Sequence, residues 1–299
     1  KMRPDKPIFA SECCATGTTR DWNFDTAVSG RIRDKDRDTN DWFLGREKTY
    51  KFLRKRSYVF GCYQWAAVEH RGEAAWPRVC SCSGALDLFL QKKGAFYQNK
   101  SHWTKDPMAH IVPHWNFKGL EGREIPVTVY TNCEELELFL NGKPLGKRQI
   151  EKYGHGEWSV EYIPGTLEVK GYIGGKEVCC DKRVTTGRPA ALKLTQDNDF
   201  TANGSDIALF TCECVDENGL TVPDAAEYVH FSVTAPAKII GTGSDNCDHN
   251  NVANTDRKMY MGKIRIAIKP KQGQVSFTLT AMSDNCGVCE KTVSLCAEN

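Results

Sequence analysis

The sequence predicts a mixed fold: an incomplete (β/α)8 barrel segment followed by two immunoglobulin-like antiparallel β-sandwiches. Three observations predict it. Up to about residue 108, short continuous apolar runs alternate with helical periodicity. Beyond Pro113 the apolar residues recur at every second position, and Gly187-Arg188-Pro189 interrupts that alternation once before it resumes. The 299 residues suffice for two or three domains, which these patterns set at 1–108, 109–187 and 188–299.

In the first segment, Pro7-Ile8-Phe9-Ala10-Ser11 is a strand pattern ending on the carboxylate of Glu12, and Tyr58-Val59-Phe60-Gly61-Cys62-Tyr63-Gln64-Trp65 is a second. Both are apolar at successive residues, the signature of parallel strands covered on both faces. Between them Asp41 caps a predicted helix in which Phe43, Tyr50 and Leu53 share a face and Glu47 stands four residues before Lys51. After the second strand, Phe96, Lys100 and Trp103 repeat at helical spacing. Strand, helix, strand, helix is the repeat of a (β/α)8 barrel, and two such units make a quarter of a body that takes about 250 residues.

The second segment alternates in Val127/Val129, Leu136/Leu138/Leu140, Trp158/Val160/Tyr162 and Leu167/Val169, with Asn141-Gly142 and Gly174-Gly175 as hairpin turns. His114 and Trp115 are expected to pack at its junction with the first segment. The third segment alternates in Ile207/Leu209, Phe210/Cys212/Cys214, Val229/Phe231/Val233, Ile264/Ile266/Ile268 and Phe277/Leu279, with Asn218-Gly219 as a turn. Each alternation predicts an antiparallel sheet with one buried face.

Charge excludes some partners. With 40 Lys and Arg against 38 Asp and Glu, the net charge of +2 provides no field for nucleic acid or an anionic membrane. No apolar run approaches the roughly 20 residues of a membrane span, and no basic-then-apolar leader opens the chain. Fourteen cysteines stand mostly as adjacent or alternate pairs, poor disulfide partners for each other, which points to a reduced, cytoplasmic protein. Cys286 and Cys289 have half the spacing of a zinc site without a second half. Asp34, Asp36, Asp38 and Asn40 imitate the start of a calcium loop, but Thr39 and Gly45 occupy the positions that need Gly and Glu. Neither a metal nor another cofactor is expected.

The stretch Arg3-Pro4-x-x-Pro7-Ile8-x-x-Ser11-Glu12, then Phe60-Gly61-x-x-x-x-Trp65, then Arg71-Gly72-Glu73 resembles the seventh and eighth barrel strands of bacterial β-galactosidases of glycoside hydrolase family 2. Gly84-Ala85-Leu86-Asp87-Leu88, Ser101-His102-Trp103-Thr104 and Pro113-His114-Trp115-Asn116-Phe117 resemble the exit from that barrel. Glu137 to Gly146 resembles the small sandwich that follows it in one branch of the family.

The resemblance implies a retaining mechanism in which one carboxylate attacks the anomeric carbon and a second, about 5 to 5.5 Å away, protonates the leaving oxygen. It makes Glu12 the nucleophile, at the C-terminal end of a barrel-type strand, where such folds carry their chemistry. It places Trp65 against the apolar face of the sugar, and Glu73 and Arg71 on the sugar hydroxyls or on each other. Cys13 and Ala15 stand where larger relatives carry Tyr and His, and the Asn-x-Lys by which β-glucuronidases hold the sugar carboxylate is missing near Cys82-Ser83-Gly84. The Asn-Glu pair that supplies the acid/base is not in this chain.

The resemblance therefore implies a C-terminal fragment of an exo-β-glycosidase acting on terminal β-D-galactosides and inactive by itself. Its expected partners are the carbohydrate substrate and the missing N-terminal part of the same enzyme, with a homo-oligomer left open. The alternatives are another family 2 specificity, β-glucuronidase or β-mannosidase, and a non-catalytic carbohydrate-binding or docking sandwich module, for which Tyr228 and Tyr260 are the exposed-aromatic candidates.

Overall fold

The computed structural model describes residues 5–20, 22, 43–273 and 276–294. The chain forms two compact units, Lys1–Thr185 and Thr186–Asn299. Within them, strands are far more abundant than helices. No helix among the described residues is long and apolar enough to cross a membrane.

The first unit opens with β1 (Ile8–Cys13), helix α1 (Arg46–Arg54), β2 (Val59–Gln64) and helix α2 (Gly94–Trp103). Strands β1 and β2 pair in parallel, with Ile8 opposite Val59 and Cys13 opposite Gln64. The expected strand, helix, strand, helix order is therefore present as a parallel pair joined through a helix. Gly61 lets the strands close, because a Cβ there would stand 2.9 Å from the Phe9 ring.

Two details depart from the sequence pattern. Helix α1 starts later than Phe43, with Gly45 as its N-cap and no side-chain cap; Asp41 lies outside the described residues, as does the Asp34–Asn40 stretch. The continuous apolar character of β2 does not mean burial here. Phe60 and Tyr63 are 71% and 69% exposed, because two strands cannot cover both of their own faces.

Helix α1 is tied down by its polar residues. The phenol oxygen of Tyr50 accepts hydrogen bonds from Gln64 Nε2 (3.1 Å) and Trp103 Nε1, joining α1 to the end of β2 and to α2. The predicted Glu47–Lys51 pair forms at 2.6 Å, and Lys51 also reaches Glu151 at 2.9 Å.

The rest of the first unit is a sandwich. One sheet has the order β3 (Ala109–Val112), β4 (Glu124–Thr131), β7 (His155–Glu161). The other has β6 (Lys143–Gln149), β5 (Glu135–Leu140), β8 (Thr166–Ile173), β9 (Lys176–Val184). All pairings are antiparallel. The alternating residues named from the sequence face one core: Val127, Val129, Leu136, Leu138, Trp158, Val160, Leu167 and Val169. Asn141-Gly142 has the two positive φ angles, 51° and 79°, that a tight hairpin turn requires. Trp115 is fully buried in this core, its Nε1 donating to the Ile163 carbonyl at 3.0 Å. It is a packing residue.

The second unit is a sandwich of two four-stranded sheets. In the first, β10 (Ala191–Gln196), β11 (Ala208–Val215), β15 (Lys263–Pro270) and β13 (Ala237–Gly243) lie side by side. In the second the order is β14 (Asp256–Lys258), β12 (Tyr228–Val233), β16 (Ser276–Ser283), β17 (Gly287–Ser294). The inward residues of β11, β12, β15 and β16 make the core, among them Phe210, Val229, Phe231, Ile264, Ile266, Phe277 and Leu279. Cys286 belongs to this core, 3.7 Å from the Cys214 sulfur.

Candidate active site

Glu12 is the next-to-last residue of β1, exposed, between exposed Ser11 and buried Cys13. Trp65 directly follows β2, and its backbone N–H donates to the Cys13 carbonyl at 2.8 Å. This bond continues the parallel pairing one step past the strand ends, so the two residues leave the pair side by side. Trp65 is 38% exposed, and its peptide bond to Ala66 is cis.

The loop after β2 returns on itself, since Arg71 and Cys80 form an isolated antiparallel bridge. Glu73, near its turn, accepts a hydrogen bond from Trp65 Nε1 at 3.3 Å and lies 3.5 Å from His70 Nε2. The His70 ring meets the Trp65 ring edge-on, with centroids 5.4 Å apart. Glu73 therefore engages Trp65 and His70, while Arg71 is an exposed residue of the same loop. Glu12 and Trp65 stand at the C-terminal ends of β1 and β2, and Glu73 reaches Trp65 from the loop after β2.

Beneath this rim lies a buried polar layer. Lys93, at the N-cap of α2 and 0% exposed, donates to the carbonyls of Thr18 (2.7 Å) and Cys82 (3.0 Å) and to the Glu69 carboxylate. Glu69, also buried, accepts a second bond from Ser81 Oγ at 2.9 Å. Burial pushes the Glu69 carboxyl pKa up, with Lys93 and Ser81 pulling against it. One ammonium thus joins the segment after β1, the loop after β2 and the start of α2.

Arg20 and Asp87 form a second buried pair at 2.6 Å. The other oxygen of Asp87 accepts from the backbone N–H groups of Phe89 and Gln91, fixing the turn before α2. Arg46 reaches the Ser83 carbonyl at 3.0 Å. These residues position the rim and do not belong to it. Asp87 stood within a sequence motif, but Glu69 and Lys93 are 24 positions apart and no local pattern pairs them.

The family described as Glycoside hydrolase family 2 C-terminal domain 5 matches residues 192–292. Beta-galactosidase BoGH2A of Bacteroides ovatus is 34% identical over 249 residues, which make up 80% of this chain and 29% of that protein. The chain belongs to glycoside hydrolase family 2. It corresponds to a C-terminal portion of the family, and the family described as Domain of unknown function (DUF4982) matches residues 122–179.

A putative beta-glucuronidase of Formosa agariphila is 33% identical over 78% of this chain and 24% of that protein. The chain spans less than a third of either relative's length. The solved structure of a family 2 member from Bacteroides cellulosilyticus aligns with a TM-score of 0.79 at 27% identity, covering 97% of this chain and 38% of that one.

Proposed function

We propose that this chain supplies the nucleophile side of a retaining exo-β-glycosidase acting on terminal β-D-galactosides, within a longer polypeptide. Residues 1–108 are then the last two strand-helix units of a (β/α)8 barrel, followed by sandwich domains at 109–187 and 188–299. The preceding part of the same protein covers the exposed face of β1 and β2. It also brings the acid/base, so the chain by itself does not turn over a glycoside. No cofactor takes part.

The observation that carries this reading is the placement of Glu12 and Trp65 at the ends of two adjacent parallel strands, joined by the Trp65 N–H to Cys13 carbonyl bond. Parallel strands of such barrels carry their chemistry at this end. The Glu12 carboxylate attacks the anomeric carbon as the glycosidic C–O bond breaks, and the acid/base protonates the departing oxygen. Water, deprotonated by that same group, then cleaves the glycosyl ester and restores Glu12. The Trp65 ring packs on the C–H face of the sugar, and Glu73 and Arg71 bind its hydroxyls, with Glu73 also fixing the indole.

The test is Glu12→Gln in the polypeptide that contains this chain and its preceding portion, assayed on an aryl β-D-galactoside. We expect kcat to fall by about three orders of magnitude or more, as loss of a covalent nucleophile does. Turnover near wild type would overturn the assignment. A β-glucuronide is the second reading, favoured by the relatedness to a putative beta-glucuronidase. The missing Asn-x-Lys argues for the galactoside, and comparing kcat/KM on the two aryl glycosides decides between them.

A further inference from the structure

The first sandwich brings together two cysteines that are 46 positions apart. Cys133 lies in the turn between β4 and β5, Cys179 lies on the edge strand β9, and their sulfurs are 3.5 Å apart. Strand β8 runs between them in the sheet. They meet across it because residue 171 is glycine: a Cβ there would stand 2.7 Å from each sulfur. The gap in β8 is thus filled by two thiols and by nothing else within 3 Å.

The two sulfurs differ in access. Cys133 is 4% exposed, whereas Cys179 is half-buried, and the neighbouring Cys180 is exposed on the opposite face of β9. A hydrogen bond from Cys179 holds the Cys133 thiol down at about 6, so that it is the thiolate of the pair near neutral pH. The Cys214–Cys286 contact in the second unit offers a contrast. Both of its members are buried, and burial pushes the Cys214 thiol up to about 12.

We infer that Cys133 and Cys179 form a dithiol site that a low-molecular-weight disulfide of the glutathione class converts to an intrachain disulfide across Gly171. In the first step the Cys179 thiol passes its proton along the contact to the Cys133 thiolate, and the more accessible Cys179 sulfur, now the thiolate, attacks the small disulfide, forms a mixed disulfide and releases one equivalent of thiolate, which takes up the proton from Cys133. In the second, Cys133 Sγ attacks Cys179 Sγ and expels the second thiol. Two protein thiols and one small disulfide become one protein disulfide and two small thiols, so atoms and electrons balance. The sulfurs must close from 3.5 Å to about 2.05 Å. The product staples the edge strand β9, over β8, to the lead-in of β5.

The experiment treats the folded polypeptide that contains this chain with oxidised glutathione at pH 8, blocks remaining thiols and maps peptides without reduction. We expect a Cys133–Cys179 cross-linked peptide in wild type and in Cys180→Ser, and its loss in Cys179→Ser. Cys133→Ser is expected to stop at a glutathione adduct on Cys179. The cross-linked protein should unfold about 5 °C or more above the reduced form, since the bond closes a loop of this length. A stable adduct on Cys179 or Cys180 in wild type with no cross-link would overturn the inference. So would cross-linking that appears only after denaturation, since the pair would then be packing thiols alone.

Discussion

Lys93→Met is the perturbation that asks most of the site's architecture. The Lys93 ammonium sits at 0% exposure and makes three bonds, to Glu69, to the Thr18 carbonyl and to the Cys82 carbonyl. Methionine keeps the length of the stem but leaves Glu69 buried with Ser81 Oγ as its side-chain donor. Breaking a buried pair from one side costs about 3–5 kcal/mol, mostly from the carboxylate left behind. For a unit of 185 residues, each kcal/mol moves the midpoint by about 2–4 °C, so melting should fall by about 6–20 °C.

Burial already raises the Glu69 pKa in the folded state, and removing the cation raises it further. A raised carboxylate pKa gives stability that is present below the unfolded value and lost as pH rises through the folded one. The deficit should therefore be smaller at pH 4 than at pH 7. Removing both charges in Lys93→Met/Glu69→Leu should recover at least half of the loss. Calorimetry of the three proteins is the assay. A single variant that melts within 2 °C of wild type, or a double variant no better than the single, would refute the claim that this pair holds the base of the site.

Glu47 is penalised by burial, but hydrogen bonds from His155 (2.5 Å) and Lys51 outweigh the penalty and bring its pKa down to about 2, while Glu47 and Glu157 raise that of His155 against its own burial. The lowered carboxyl stabilises above about pH 4.5 and loses its effect as pH falls toward 2; the raised imidazole stabilises below about 6.5 and loses its effect above its folded pKa. His155→Gln should thus cost most near pH 5–6, by roughly 1–3 kcal/mol, and little at pH 9, as read from denaturant melts. Gly84→Ala would place a Cβ 2.5 Å from the Glu69 amide nitrogen and 2.7 Å from the Leu86 carbonyl oxygen, both backbone atoms, so expression or melting should suffer by about 2 kcal/mol or more. Trp65→Ala in the longer polypeptide should lower kcat/KM on an aryl β-galactoside by about tenfold or more while leaving the fold intact by circular dichroism.

Much of the sandwich architecture could be read from the chain because its signal is local. Leu136, Leu138 and Leu140 declare their face by spacing, and Asn141-Gly142 declares its turn by the two positive φ angles it tolerates. Edge strands were harder to read. β6 and β9 are mostly exposed, so Lys143–Gln149 and Lys176–Val184 carry little alternation to find.

The start of α1 escaped detection because Gly45 caps it without a side chain, leaving no Asp or Ser signal at the true boundary. At the candidate site, motif resemblance singled out Glu12, Trp65, Arg71 and Glu73. The Glu73 bond to the Trp65 indole and the Lys93 tie could not be read, since each joins residues that only the folded loop brings together. The Cys133–Cys179 contact was hidden for the same reason, behind a glycine on a third strand.

The Lys93 tie also bears on how such a scaffold can change. Its three bonds end at Thr18, Glu69 and Cys82, all at the foot of the loop after β2 or in the segment facing it, and none reaches the tip beyond the Arg71–Cys80 bridge. Residues 74–79 can therefore be exchanged with little effect on where Glu12 and Trp65 stand, whereas Glu73 must stay because it holds the Trp65 indole. Mutation has a free hand at the tip and almost none at the foot, the arrangement under which one reaction can drift among sugars while the reaction itself is kept.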